Sequence, residues 1–165
     1  MKIYIIRHSE TKHNKKRLFQ GWTDTELSQK GIYDAKNKAK NFPKDFDVCF
    51  SSVLKRTIQT AEILVPYLDV IKDKRLNERK LGVYENTVVT KKKLKSLDYG
   101  IPPSGAESID EINARVKDFI QMLKQNYDGK KVLVVTHAGT VLALMRILNR
   151  DDLGLGNLEM KEVDL

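Results

Sequence analysis

The sequence is poor in cysteine, in proline and in long apolar runs. Its 165 residues include one cysteine, Cys49, and four prolines. A single cysteine cannot form an internal disulfide, so we expect a protein of the reducing cytoplasm. No apolar run approaches the ~20 residues that a bilayer requires. Residues 1–7 have too short an apolar core for a signal peptide, so we expect neither a membrane nor a secreted protein.

Acidic residues are outnumbered by basic ones. The chain has 30 Lys and Arg against 22 Asp and Glu, a formal net charge of +8. This excess favours anionic partners without distinguishing small phosphates from nucleic acid or acidic proteins. The length fits one domain, so we expect a single domain over residues 1–165. The least periodic segment, about residues 85–104, is expected to form a lid insertion.

Apolar strands alternate with helices along the chain. Residues 2–7, 46–50 and 131–136 predict buried strands, Val70-Ile71 a short strand, and residues 158–163 a final edge strand. Ser28 predicts a helix cap, as do Ser51-Ser52 before the next helix. Ser108 and Glu111 have capping-box spacing before the clearest helix, and residues 141–148 predict another. This alternation indicates an α/β fold with three layers, α/β/α, around a mainly parallel sheet.

Basic groups follow the predicted strands. Arg7 and His8 follow the first strand, Arg56 lies shortly after the second, and His137 ends the valine-rich strand. Taken singly, each is more often a surface or boundary residue than a catalyst. Parallel sheets bind ligands at the carboxyl ends of their strands, however, and these four groups share that position. Their joint placement therefore indicates an oxyanion site.

Such a site is suited to phosphoryl transfer. Two arginines can grip phosphoryl oxygens and remain charged. A neutral imidazole is a nucleophile towards phosphorus, and a second imidazole can stabilise charge on the equatorial oxygens. The leaving oxygen needs a proton, and Glu78 is the candidate acid. The residues alone favour the plainer interpretation of Glu78 as a solvated side chain in a charged loop.

Six segments carry short motifs in a fixed order. The first is Arg7-His8-Ser9-Glu10-Thr11 with Asn14, which is similar to an Arg-His-Gly-Glu-Thr-x-x-Asn motif. The others lie at residues 19–31, 51–61, 76–85, 104–115 and 134–139. Together they resemble the histidine phosphatase superfamily, which includes cofactor-dependent phosphoglycerate mutases and many small phosphatases. The resemblance covers nearly the whole chain and implies a phosphoglycerate mutase-like fold.

The resemblance also implies residue roles. His8 would be the phosphorylated nucleophile, and Glu78 the general acid and then the general base. The phosphate pocket and its border would comprise Arg7, Asn14, Gln20, Gly21, Arg56, His137 and the backbone N–H near Ala138. No cofactor or metal is expected. A metal site would compete for the same histidines, but Arg7 and Arg56 would repel a cation there.

Departures from the family pattern bear on the reaction. Ser9, Ala138 and Asn86 stand where the family usually has glycine, and Tyr84 replaces a tryptophan. The lid is short, whereas a mutase must exclude water from its phosphoenzyme. Hydrolysis of a small phosphorylated metabolite is therefore the expected reaction.

Other functions stay open at this point. They are a phosphoprotein phosphatase acting on phosphohistidine, mutase-type phosphoryl transfer, and a non-catalytic binder of polyanions. A nucleic acid partner is disfavoured because only the net charge supports it. The sequence gives no indication of the oligomeric state.

Overall fold

Five strands form one sheet at the centre of the structure, a computed structural model that describes residues 1–99, 102–150 and 154–165. The strands are β1 (Lys2–Arg7), β2 (Val48–Ser51), β3 (Val70–Lys72), β4 (Lys131–Thr136) and β5 (Met160–Asp164). Their order is β3-β2-β4-β1-β5, and only the edge strand β5 runs antiparallel to its neighbour. The predicted α/β fold with a mainly parallel sheet is confirmed.

Helices cover both faces of the sheet. Within the described residues they are α1 (Lys12–Lys15), α2 (Gln29–Ala39), α3 (Lys55–Leu64), α4 (Lys91–Tyr99), α5 (Ile109–Asn126) and α6 (Ala138–Ile147). Successive residues of β1 belong to two different apolar clusters. Ile3 and Ile5 pack with residues of α5 and α6, whereas Tyr4 and Ile6 pack with residues of α3. Each face of β1 is therefore buried, which explains why the strand is apolar throughout.

Two of the predicted helix caps are present. The Ser28 hydroxyl accepts a hydrogen bond from the Gly31 N–H at the start of α2. At the start of α5, the Ser108 hydroxyl accepts from the Glu111 N–H, and the Glu111 carboxylate accepts from the Ser108 N–H. This reciprocal pair satisfies donors that would otherwise have no partner in the first turn.

The prediction that Ser51 and Ser52 cap the next helix is wrong. The N-cap of α3 is Leu54, and it has no side-chain cap. The Ser52 hydroxyl instead lies 2.8 Å from His137 Nε2 and 2.7 Å from the Thr57 hydroxyl. It also accepts a hydrogen bond from the Leu54 N–H, so it braces the turn before the helix.

Other boundaries shift by a few residues. β2 covers residues 48–51 rather than 46–50, and α6 begins at residue 138 rather than 141. α2, which the Ser28 cap predicted, ends at residue 39. The shift of α6 matters for the site, because the helix starts directly after β4 and its first N–H groups meet the end of that strand.

The predicted lid segment, residues 85–104, contains the unexpected helix α4. Residues 100 and 101 of this segment lie outside the described part. Leu97 of α4 packs in a small cluster with Phe19 and Leu81. The loop before α4 pairs with the loop after α1, where the Phe19 N–H donates to the Thr87 carbonyl at 2.9 Å. That this segment acts as a lid over a substrate stays a prediction. The expected single domain over residues 1–165 also stays a prediction.

The described residues include no candidate membrane-spanning helix, and their one cysteine is buried. No helix among them has the length and apolar character to cross a bilayer. Cys49 is fully buried in β2, and burial raises the pKa of its thiol to about 12. Its sulfur is therefore a packing atom of the core, not a nucleophile.

Candidate active site

A cavity of about 290 Å³ opens at the carboxyl ends of β1 and β4. Seven of the nine site residues predicted from the sequence line it: Arg7, His8, Asn14, Gln20, Gly21, Glu78 and Ala138. The other two, Arg56 and His137, lie one layer deeper and have no exposed surface. The His8 and His137 rings are 5.2 Å apart between centroids, so all the predicted groups converge on one region.

The His8 imidazole is held in one tautomer by its own backbone neighbour. Its Nδ1 lies 2.7 Å from the Ser9 carbonyl oxygen, which can only accept, so Nδ1 carries the proton. Within the described residues, Nε2 has no hydrogen-bond partner, and its lone pair is available. Burial and the nearby Arg56 and Arg7 charges lower the pKa of His8 well below the ordinary value of 6.5. The ring is therefore neutral at pH 7.

The deeper layer pairs Arg56 with His137. Arg56 Nε donates to His137 Nδ1 at 3.2 Å, and His137 Nε2 lies 2.8 Å from the Ser52 hydroxyl. Burial, followed by the Arg56 charge, lowers the pKa of His137 well below its usual range. Its Nδ1 lone pair and Nε2 proton are fixed by these two partners. A bound dianion would favour protonation of this ring, because opposite charges stabilise each other in a buried site.

The Arg56 guanidinium is anchored on three sides. Besides its bond to His137, it donates to the carbonyls of Gly21 at 2.8 Å and Thr23 at 3.0 Å. Burial lowers the pKa of Arg56 to about 10, a value at which it is still charged at pH 7. Three of its five N–H groups have partners among the described residues, which leaves two for a ligand.

Arg7 has an unpaired donor. One terminal nitrogen donates to the Leu155 carbonyl at 3.0 Å, whereas the buried Nε has no hydrogen-bond partner among the described residues. An orphan buried N–H costs about 1–3 kcal/mol. Because Arg7 lines the cavity, an oxyanion there could satisfy this donor.

Glu78 lines the same cavity and is oriented by the backbone. Its Oε1 accepts a hydrogen bond from the Arg79 N–H at 2.8 Å. Its carbonyl accepts from the Trp22 indole at 2.7 Å and from Arg115 at 3.2 Å, which fixes the loop. A Cβ on Gly139 would lie 2.5 Å from Oε1, so the carboxylate packs directly against the start of α6. The structure thus removes Glu78 from the solvated surface that its sequence context suggested.

Two carboxamides border the cavity, and their nitrogens have no hydrogen-bond partner in the part of the chain that the structure describes. Asn14 Oδ1 accepts from the Thr11 N–H at 3.0 Å, and Gln20 Oε1 lies 2.6 Å from the Thr25 hydroxyl. Because both oxygens are used by protein donors, the NH₂ groups are left for a ligand oxygen.

Gly21 is required by the loop that follows Gln20. Its φ is +50°, and a Cβ there would collide with the Glu85 carboxylate. That carboxylate accepts four hydrogen bonds: from the N–H groups of Leu81, Trp22 and Thr23, and from the Thr23 hydroxyl, at 3.0–3.1 Å. Glu85 therefore ties the Gly21 loop to the loop after Glu78.

Comparison with known proteins decides the family. The model of the histidine phosphatase superfamily (branch 1) matches residues 3–164. The chain belongs to the histidine phosphatase superfamily. It is 31% identical to a 2,3-bisphosphoglycerate-dependent phosphoglycerate mutase of Rhizobium rhizogenes, over 90% of this chain and 79% of that protein. Phosphoglycerate mutase-like protein 4 of Arabidopsis thaliana is also 31% identical, over 86% of this chain and 68% of the relative.

Solved structures of the superfamily share the fold. An Escherichia coli protein with the provisional name alpha-ribazole-5'-P phosphatase superposes with a TM-score of 0.79 at 27% identity, covering 91% of this chain and 80% of that one. A phosphoglycerate mutase from Bacillus anthracis superposes with a TM-score of 0.83, covering 98% and 86% of the two chains. At 24% identity, the latter similarity concerns the fold alone. Relatives thus carry both mutase and phosphatase names.

Three side chains that support the site in this superfamily member were missed by sequence reasoning. Asn157 donates from Nδ2 to the His8 carbonyl at 2.7 Å, although the two residues are 149 positions apart. The Thr60 hydroxyl accepts from the Ser9 N–H at 3.1 Å, and Ser52 contacts His137. The sequence placed Ser52 at the end of a strand but did not indicate its contact with His137. Nothing in the sequence marked Asn157.

Remaining groups lie away from the candidate phosphoryl site. His13 is in α1, with Nε2 2.8 Å from Asn86 Oδ1. Among the residues that the structure describes, no three His, Cys, Asp or Glu side chains are grouped as a metal site would require. Independence from metal stays a prediction.

Proposed function

We propose that this histidine phosphatase hydrolyses small phosphomonoesters through a phosphohistidine on His8, without a metal. One observation carries the proposal: a neutral His8, whose Nε2 has no partner among the described residues, lines the same cavity as Arg7, whose buried Nε lacks an acceptor there. The first group is a nucleophile, and the second is a donor that lacks an acceptor. A phosphoryl group bound between them would use both.

In the first step, the His8 Nε2 lone pair attacks phosphorus as the ester P–O bond breaks. Arg7, the two uncommitted N–H groups of Arg56 and the amide nitrogens of Asn14 and Gln20 hold the phosphoryl oxygens. His137 Nδ1 accepts from Arg56 and holds its guanidinium in position. The Ala138 N–H at the start of the ten-residue helix α6 adds a further donor. These donors are oriented before the ligand arrives, so little reorganisation is needed.

Glu78 handles the protons of both half-reactions. As a carboxylic acid, it gives its proton to the leaving alkoxide, and the alcohol departs. The resulting carboxylate then takes a proton from water, whose oxygen attacks the phosphorus of the phosphohistidine. The N–P bond breaks, inorganic phosphate leaves, and both His8 and Glu78 regain their starting forms. The position of Glu78 on the same cavity as His8 supports this pairing.

Phosphoryl transfer by a mutase is the second candidate, because several relatives carry that name. Water access favours hydrolysis. A mutase must retain its phosphohistidine until a second acceptor oxygen is in place, and this needs a closed cover. Here the covering segment is the short loop and helix around α4, and Leu94 of that helix is 45% exposed at the cavity.

The test is release of inorganic phosphate from 4-nitrophenyl phosphate in the presence of EDTA. We expect turnover, inhibition by vanadate, and loss of at least about 1,000-fold in kcat for His8→Ala, because the nucleophile is removed. His13→Ala is the matched control, since His13 lies outside the cavity, and it should keep the wild-type rate. Acid quenching should trap one phosphoryl group per chain in the wild type and none in His8→Ala.

Four results would contradict the proposal. Turnover that survives His8→Ala would exclude the phosphohistidine mechanism. Complete loss with EDTA and recovery with a divalent ion would indicate metal chemistry. Faster conversion of 3-phosphoglycerate to its 2-isomer than release of phosphate from it would favour the mutase. Steeply salt-dependent polyanion binding with no turnover would leave the binder as the better interpretation.

A further inference from the structure

The cavity changes character away from His8. Beyond the phosphoryl end, its wall is formed by apolar side chains from four parts of the chain. These include Leu18, Phe19, Val89, Leu94, Leu97 and Leu142. A group attached to the bound phosphoryl oxygen can extend along this wall, whereas the side towards the buried Arg56 and His137 is closed.

This apolar wall is built into the fold. Phe19 stacks on Tyr84 with ring centroids 6.0 Å apart, and Leu97 is 7% exposed. Helix α4 is fixed by two side chains: Arg79 donates to the Leu97 carbonyl at 2.8 Å, and the Tyr84 hydroxyl lies 3.1 Å from the Ser96 hydroxyl. The wall is therefore a formed surface and not a chance contact of surface leucines.

Among the described residues, one cationic side chain, Arg79, lines the cavity beside the apolar wall. Of the described residues lining the cavity, only Arg7 and Arg79 are arginine or lysine. Arg79 donates to two backbone carbonyls, those of Leu97 and Glu107, both at 2.8 Å, so its guanidinium is used in holding α4 and the loop before α5. The lysine-rich face of α4 does not line the cavity. A second anionic group on the substrate would meet leucines and an Arg79 guanidinium whose Nε and one terminal nitrogen already donate to carbonyls, so its burial would be costly.

We propose that the alcohol part of the substrate is compact and apolar, a short alkyl chain or a single ring, and carries no second phosphate or carboxylate. This inference rests on the proposed hydrolysis at His8 and adds the class of ester. The cavity volume of about 290 Å³ is at the small end of ligand pockets, which limits the apolar part to a few carbons or one ring. The half-exposed Leu94 at the entrance would be covered by that group.

The first experiment measures kcat/KM for primary alkyl monophosphates from ethyl to pentyl, whose leaving groups have similar basicity. Each added methylene should raise kcat/KM about fourfold until the cavity is filled, as expected for burial of a CH₂ group. Propyl phosphate should exceed glycerol 3-phosphate, which has the same carbon count and two hydroxyls, by about tenfold or more. 3-Phosphoglycerate should be the poorest of the three-carbon esters.

A pair of variants on α4 connects this selectivity to the wall. Leu94→Ser should flatten the rise with chain length, because it replaces an apolar lining group. Lys95→Ser, the adjacent exposed residue outside the cavity, should leave both the rise and the rate on ethyl phosphate unchanged. Since Leu94 is half exposed, its substitution should not unfold the protein.

Binding of non-hydrolysable alkylphosphonates separates this inference from the proposed function. Calorimetric affinity should rise with chain length in the wild type. If affinity rises but no ester is hydrolysed, the apolar site stands and the proposed hydrolysis fails. If esters are hydrolysed but neither rate nor affinity depends on chain length, or if 3-phosphoglycerate is preferred, the apolar substrate class is wrong and the hydrolysis stands.

Discussion

Gly139→Ala should impair proton donation by Glu78 without damaging the phosphoryl pocket. The added Cβ would lie 2.5 Å from Glu78 Oε1 and 3.3 Å from Arg79 Cβ. Carbon and oxygen atoms need about 3.5 Å, so the carboxylate must move by about 1 Å. It can do so because it is the end of a flexible side chain. Gly139 lies in the first turn of α6, where alanine is a better helix former by about 1 kcal/mol.

The chemical consequence depends on the leaving group. A displacement of about 1 Å in a catalytic group can cost roughly 100-fold. We therefore expect kcat for a primary alkyl phosphate to fall about 10–100-fold. For 4-nitrophenyl phosphate, whose phenolate leaves without a proton, the first step should change less than about threefold. The thermal midpoint of unfolding should stay the same or rise.

The assay is single-turnover release of the alcohol or phenol, which isolates the first half-reaction. Glu78→Gln is the reference variant, because it removes the acid and should show the same contrast more strongly. An equal loss on both esters would mean that the new methyl group blocks the cavity and that Glu78 is not displaced. Unchanged alkyl phosphate hydrolysis would refute the assignment of Glu78 as the proton donor.

Three further outcomes follow from the same contacts. The free energy of unfolding should decrease as pH falls below about 6.5, by up to about 1.4 kcal/mol per pH unit for each of His8 and His137, because the folded pKa values lie below those of the unfolded chain. Urea titrations between about pH 7 and pH 5 check this, and a flat profile would contradict it. Arg56→Lys should lower kcat/KM at least about 100-fold, since lysine cannot reproduce bonds to two carbonyls and an imidazole; a fall below tenfold would make Arg56 structural only. Glu85→Gln should lower the free energy of unfolding by about 1–3 kcal/mol, because the new amide NH₂ would face backbone N–H donors that now donate to the carboxylate. An unchanged urea midpoint would show that stability does not depend on the contact between Glu85 and the Gly21 loop.

The parts of the fold predicted correctly were those encoded by local pattern. β1 and β4 are apolar because both faces are buried, and the capping box before α5 is a short-range hydrogen-bond motif. The convergence of His8 and His137 followed from a general property of parallel sheets, that strand ends share one edge. Both imidazoles directly follow neighbouring strands, β1 and β4, as this argument required.

The misses arose where long-range contacts decide the structure. Ser52 looked like a helix cap, but its hydroxyl is used by His137, 85 positions away. Helix α4 has a single apolar pair, Leu94 and Leu97, among four lysines, so its periodicity was too weak to recognise. Its helical form depends on packing against Phe19 and Leu81, which the sequence separates widely. Asn157 reaches His8 only because β5 returns beside β1.

The placement of the two imidazoles directly after β1 and β4 has a consequence for how activity is lost in denaturant. Both strands are flanked by partners on either side, in the order β3-β2-β4-β1-β5. Amides in such interior strands exchange with solvent only through global opening, whereas a peripheral helix such as α4 can open separately. As urea increases, the dependence of kcat/KM on the ester's chain length should therefore be lost first. Formation of the phosphohistidine should continue until the sheet unfolds.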